Sequence, residues 1–177
     1  MRKKISLLTL VIISVLSLSL LISGCGKVAE KTTEKAIEKS VGGDAQVDLN
    51  KDQVTVKTSE GTMKMGGATE WPTKIPAVLP KFTYGKITSV MENTTAEGSM
   101  VIVGVDGVNA ADIDKYISDL EKAGWKIAMT SKSDSGIFIG AEKDKYTVNI
   151  SFGKKSDAEG YSGGISFVEE KPAANPQ

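Results

Sequence analysis

The chain has 177 residues, with 22 basic and 22 acidic side chains and no histidine. Without imidazole there is no Ser-His-Asp triad and no histidine-ligated metal. The only arginine is Arg2 and the only cysteine is Cys25, so guanidinium forks for phosphate and intrachain disulfides are excluded as well.

The chain opens Met1-Arg2-Lys3-Lys4, followed by an apolar run from Ile5 to Ile22 and the small residues Ser23 and Gly24. A cationic head, a greasy middle and a small-residue exit describe a secretory signal segment. The exit leads directly into Cys25. The ending Ile22-Ser23-Gly24-Cys25 resembles the lipobox of bacterial lipoproteins, with Ile22 where leucine is commonest in that family. The resemblance implies cleavage after Gly24, a diacylglyceryl group on the Cys25 sulfur, and an extracytoplasmic location on the cell membrane or the outer membrane. Two acyl chains are what stable anchoring requires. An ordinary membrane-spanning anchor is the alternative, since the apolar run is nearly long enough to cross a bilayer.

Of the 22 basic residues, Arg2, Lys3 and Lys4 belong to this segment, which leaves 19 lysines against 22 acidic residues. The remainder is mildly acidic, with no basic excess for nucleic acid. It is about 150 residues, enough for one modest domain and a tether.

Residues 25–43 read as the cysteine that the resemblance makes lipidated, followed by a helical tether. Lysines recur at 27, 31, 35 and 39 and glutamates at 30, 34 and 38, which on a helix gives opposite charges at i,i+3 and only a thin apolar face. Residues 44–70 alternate apolar and polar side chains through Val47–Leu49, Val54–Thr58 and Met63–Met65, the pattern of a short β-meander. Asp48, Asn50 and Asp52 begin like a calcium loop, but Gln53 stands where glycine is needed and Ser59 where glutamate should close the site. A polar hairpin turn is the preferred reading, with no metal and no cofactor. Residues 71–81 carry Pro72, Pro76 and Pro80, which impose an extended strap. Trp71 is either core or a partner-docking anchor.

Residues 82–170 read as a ββαββββ domain, and 171–177 as a flexible tail. The strands are 86–94, 99–106, 125–130, 136–142, 146–152 and 164–169, with a polar loop over 153–163. The helix spans 110–123, with Asn109 as N-cap and Gly124 as C′ residue bringing Trp125 against Leu120. The expected fold class is α+β, an antiparallel sheet of about five to six strands packed on one helix.

The sequence contains no constellation that demands catalysis. The expected function is a non-catalytic binding or interaction module held to the bilayer through Cys25, with an envelope protein or polymer as partner and no nucleic acid. Candidate contact residues are Trp71 and the polar face of one strand, Thr147, Asn149 and Ser151. One alternative is a cell-wall hydrolase using two of Glu92, Asp106, Asp134 and Glu142, which requires two carboxyls together in a cleft. The other is a structural spacer without a ligand. The layout as a whole resembles many bacterial lipoproteins, and that resemblance assigns no residue beyond Cys25.

Overall fold

The computed structural model describes residues 34–38, 45–50, 52–155 and 160–171. The signal segment, Cys25 and most of the tether lie outside the described residues. The described elements run β1 (Gln46–Asn50), β2 (Gln53–Thr58), β3 (Gly61–Gly67), β4 (Lys86–Thr95), β5 (Gly98–Val108), α1 (Ala110–Lys122), β6 (Lys126–Lys132), β7 (Gly136–Lys143), β8 (Tyr146–Lys154) and β9 (Tyr161–Glu170). Residues 34–38 are helical.

All nine strands join one antiparallel sheet in the order β1-β2-β3-β4-β5-β9-β8-β7-β6. The expectation of an α+β domain with five to six strands is therefore corrected to a mostly-β fold built on a single large sheet. The physical reason is the meander. β3 pairs with β4 along its whole length, from Gly61↔Thr95 to Gly67↔Ser89, so the three short strands extend the sheet. Short strands need such a neighbour to be stable.

Two of the hairpins are built alike. Thr58-Ser59-Glu60-Gly61 and Thr95-Ala96-Glu97-Gly98 each place a threonine hydroxyl as acceptor for the glutamate N–H, at 3.2 Å in both. The same hydroxyl donates to the following glycine carbonyl, at 3.4 Å in both. Side-chain oxygens that satisfy nearby backbone groups are a standard way to pin a turn.

Helix α1 crosses one face of the sheet. Ile113, Tyr116 and Leu120 recur at helical spacing and are buried. Asn109 holds the N-cap position, but its side chain donates to Asp112 Oδ2 (3.2 Å) rather than accepting from the first turn. The helix stops as its sequence predicts. Gly124 takes φ +81°, its N–H donates to Glu121 O (2.9 Å), and the Trp125 N–H donates to Leu120 O (3.0 Å), the bond pattern of a Schellman motif.

The proline strap lies over the same face. Ile75, Leu79 and Phe82 enter the core beside Val103, Ile139, Ile150 and Phe167. Two donors tie the strap down: Tyr116 Oη to Pro80 O and Trp125 Nε1 to Val78 O, both at 2.8 Å. Burial pushes the Tyr116 hydroxyl well above its ordinary range, so it remains a donor. Phe82 meets Tyr84 and Tyr116 edge-on, with centroids 5.4 and 4.9 Å apart.

Several strand ends shift by one or two residues, and the start of β9 differs most from the expectation. Residues 161–163, predicted as loop, begin β9. A Cβ on Gly163 would lie 2.0 Å from the Ser151 carbonyl oxygen, so glycine serves here to let two strands approach, not to loosen the chain.

Candidate functional site: the second face of the sheet

Cross-strand partners share a face of the sheet, so the register assigns every strand residue to one side or the other. The first face carries Val101, Val103 and Val105, and α1 and the strap close it. The second face carries the alternate residues. Met65 pairs with Met91, Met91 with Ile102, Ile102 with Ser166, Ser166 with Asn149 and Asn149 with Gly140. Neither α1 nor the strap contributes a buried residue to this side.

The second face is graded. On β3, β4 and β5 it presents Met63, Met65, Met91, Met100 and Ile102, all half-buried, and the polar Ser89 and Asn93 stand among them. On β7, β8 and β9 it presents Thr147, Asn149, Ser151 and Ser166 together with Phe138, Glu142 and Val168. Met129 on β6, paired with Gly140, is 53% exposed. Five of the six methionines in the sequence, all but Met1, thus fall on one side of one sheet.

A second, smaller core marks the β1 end of this face. Val56 pairs with Met63, which puts β1 and β2 apolar residues on the methionine side. There Ile37 of the helical segment packs with Ala45, Val47 and Val56, flanked by Leu49, Val54 and Met63. The segment also closes the sheet edge. The Val47 N–H donates to Glu38 Oε1 (3.1 Å) and the Leu49 N–H to Glu34 Oε1 (3.0 Å). Two carboxylates at i and i+4 match two outward amides at i and i+2, and an edge that would otherwise template pairing is capped.

The four candidate residues therefore separate. Thr147, Asn149 and Ser151 lie together on the second face. Trp71 is half-buried on the strap and packs against the main core on the opposite side. The methionines of this face are not among the contact residues expected from the sequence. A signal was present in β5, where Met100-Val101-Ile102-Val103 is apolar in both phases of the alternation, the mark of a strand with two apolar faces.

The carboxylates considered for hydrolysis stand apart. Glu92 on β4 is ion-paired with Lys74 (2.7 Å) and Asp106 near the end of β5 with Lys155 (2.7 Å). Glu142 on β7 lies between Lys126 and Thr147, and Asp134 lies in the β6–β7 turn. The hydrogen bond from Lys155 holds the Asp106 carboxyl below its usual range. Among the described residues no polar or charged side chain is buried. Asp48 and Asn50 sit on β1 opposite Thr55 and Gln53, as a hairpin strand. Among the described residues no helix is long and apolar enough to cross a membrane.

No protein-family model, curated protein or solved structure matches this chain.

Proposed function

We propose that the protein is a lipoprotein held on the extracytoplasmic side of the cell membrane or outer membrane by a diacylglyceryl thioether on Cys25, and that its second sheet face is a non-catalytic binding surface. The signal segment and the lone cysteine at its exit support the anchor. The part of this face that no described residue covers, rich in methionine on β3–β5 and mixed polar and apolar around Thr147, Asn149 and Ser151, carries the binding role. Soluble domains seldom leave so broad an apolar sheet face without a partner. The scattered carboxylates, with Glu92 and Asp106 each paired to a lysine, favour binding over hydrolysis, and the partner is an envelope protein or polymer.

Two measurements test this reading. Growth with a labelled fatty acid is expected to label the mature protein and to leave a Cys25→Ser chain unlabelled. A photoreactive side chain at Asn149, in anchored protein in its own host, is expected to capture one dominant envelope component. An unlabelled product that keeps residues 1–24 removes the anchor. Absence of capture at Asn149, with tolerance of substitutions across the face, leaves the spacer role.

A further inference from the structure

We propose that the apolar half of the second face, on β3–β5, rests on the surface of the bilayer that holds the anchor, with the polar β8 end turned away from it. This rests on the Cys25 anchoring proposed above and adds an orientation to it.

The side from which the chain enters comes first. The 34–38 segment packs on the second face at the β1 end, through Ile37 against Val47 and Val56 and through the two glutamates. Cys25 lies nine residues before Glu34. Whatever path those residues take, the anchor is within about 30 Å of the segment. From β1 to β5 is four strand spacings, about 19 Å. The chain thus reaches the described residues on the methionine side, with the lipid within reach of Met63, Met65, Met91 and Met100.

The chemistry of the face agrees with that side. Four of its five methionines gather towards the tethered end, whereas the far end mixes Phe138 and Val168 with Thr147, Asn149, Ser151 and the charged Lys126 and Glu142. On β3, β4 and β5 the interior positions of this face carry no charge. Asp106 and Lys86, towards the strand ends, are the charged residues the register places there. The opposite face of the same strands carries Lys64 and Glu92. Desolvating a charge against a membrane is costly, and desolvating methionine is favourable. Unbranched, polarizable methionines also conform to a fluid surface better than to a rigid one. The contact need not be strong alone, because the anchor makes it intramolecular.

The methionines report their own environment. Lipidated protein in phosphatidylethanolamine–phosphatidylglycerol vesicles is exposed to a charged, water-borne oxidant, and sulfoxide at each methionine is followed by peptide mass spectrometry. The reference is the mature chain, residues 25–177 with Cys25→Ser, free in solution. Oxidation of Met63, Met65, Met91 and Met100 is expected to slow at least about fivefold on the vesicles, with Met129, on the far edge strand, slowed less. Equal rates in both preparations, with the lipidated protein floating with the vesicles, overturn the orientation and leave the anchor intact. Protection that also appears in solution and grows with protein concentration overturns it in favour of a second copy of the chain on this face. Failure to float removes the anchor, and the orientation with it.

Discussion

Ile102 and Val103 are neighbours in β5 and lie on opposite sides of the sheet. Val103 is wholly buried in the core closed by α1 and the strap. Ile102 is half-buried on the methionine side, with its Cγ2 3.6 Å from where a Cβ on Gly164 would stand. Val103→Ala is expected to cost about 2 kcal/mol, because the closed core keeps the cavity. Ile102→Thr is expected to cost less than about 1 kcal/mol in the free protein, since nothing described packs over it. Urea midpoints of the two variants check the asymmetry, and equal losses would mean that both faces are closed in solution.

The capped edge of β1 gives a second test. Replacing Glu34 and Glu38 together by alanine returns the Val47 and Leu49 amides to water. Each lost hydrogen bond is expected to cost about 1 kcal/mol. Hydrogen exchange at these two amides is expected to accelerate, while amides of β8 and β9 keep their protection. The exposed edge is also expected to raise the tendency to associate at high concentration, visible by sedimentation.

Most of the elements were legible because their signals are local. Period-two alternation marks β5 and β8, and Gly124 followed by Trp125 marks the end of α1. The face on which β1–β3 turn their apolar side was not legible. Alternation gives the period of a strand but not its phase relative to a strand across the irregular stretch 68–85. Only the β3–β4 register shows that Met63 and Met65 share a face with Ile102 rather than with Val103. The same limit hid the full extent of the sheet. The start of β9 was missed for a related reason: Gly163 answers to the Ser151 carbonyl, a neighbour in space and not in local sequence. Trp71 is open, in the sequence, between core and docking aromatic, and its packing against the main core depends on a fold that the strap's prolines alone do not specify.

The strap rests on two donors from one helix and its exit. Trp125→Phe leaves the Val78 carbonyl without its indole partner, and Tyr116→Phe does the same to Pro80. Each is expected to cost about 1–2 kcal/mol. Since both bonds pin the same segment, the double variant is expected to lose less than the sum of the singles. Limited proteolysis across residues 71–81 gives an independent reading, with cleavage faster in each variant.

The pH profile follows from the direction of each shift. Asp112 is held below the usual 3.8, chiefly by the Lys115 hydrogen bond and then by Asn109, and Asp106 is held below it chiefly by Lys155. A carboxylate lowered on folding stabilises above its unfolded value, and this is lost as pH falls through the folded one. Lys115 and Lys145 are raised, chiefly by hydrogen bonds to Asp112 and Glu169. Their contribution is present below 10.5 and is lost as pH rises through the folded values. With no histidine in the chain, stability is expected to be flat from about pH 5 to 9 and to fall outside that window. A midpoint that moves between pH 6 and 7 would contradict this.

Gly163 sets the distance between β8 and β9. Its pairing partner is Phe152, and an added Cβ would meet the Ser151 carbonyl oxygen at 2.0 Å and Phe152 Cα at 2.8 Å. Both are backbone atoms, so no side-chain rotation relieves the clash. The strands must separate locally, and the adjoining hydrogen bonds lengthen with them. Gly163→Ala is expected to cost about 3 kcal/mol. The effect would reach the methionine face through Gly164 and Ile102. The added methyl at Gly153, whose nearest neighbour would be the Ser162 carbonyl at 3.9 Å, is expected to change stability by less than about 1 kcal/mol. Comparing the two alanine variants by thermal denaturation separates close approach from the general effect of placing alanine for glycine in a strand, and equal midpoints would remove the steric role assigned to Gly163.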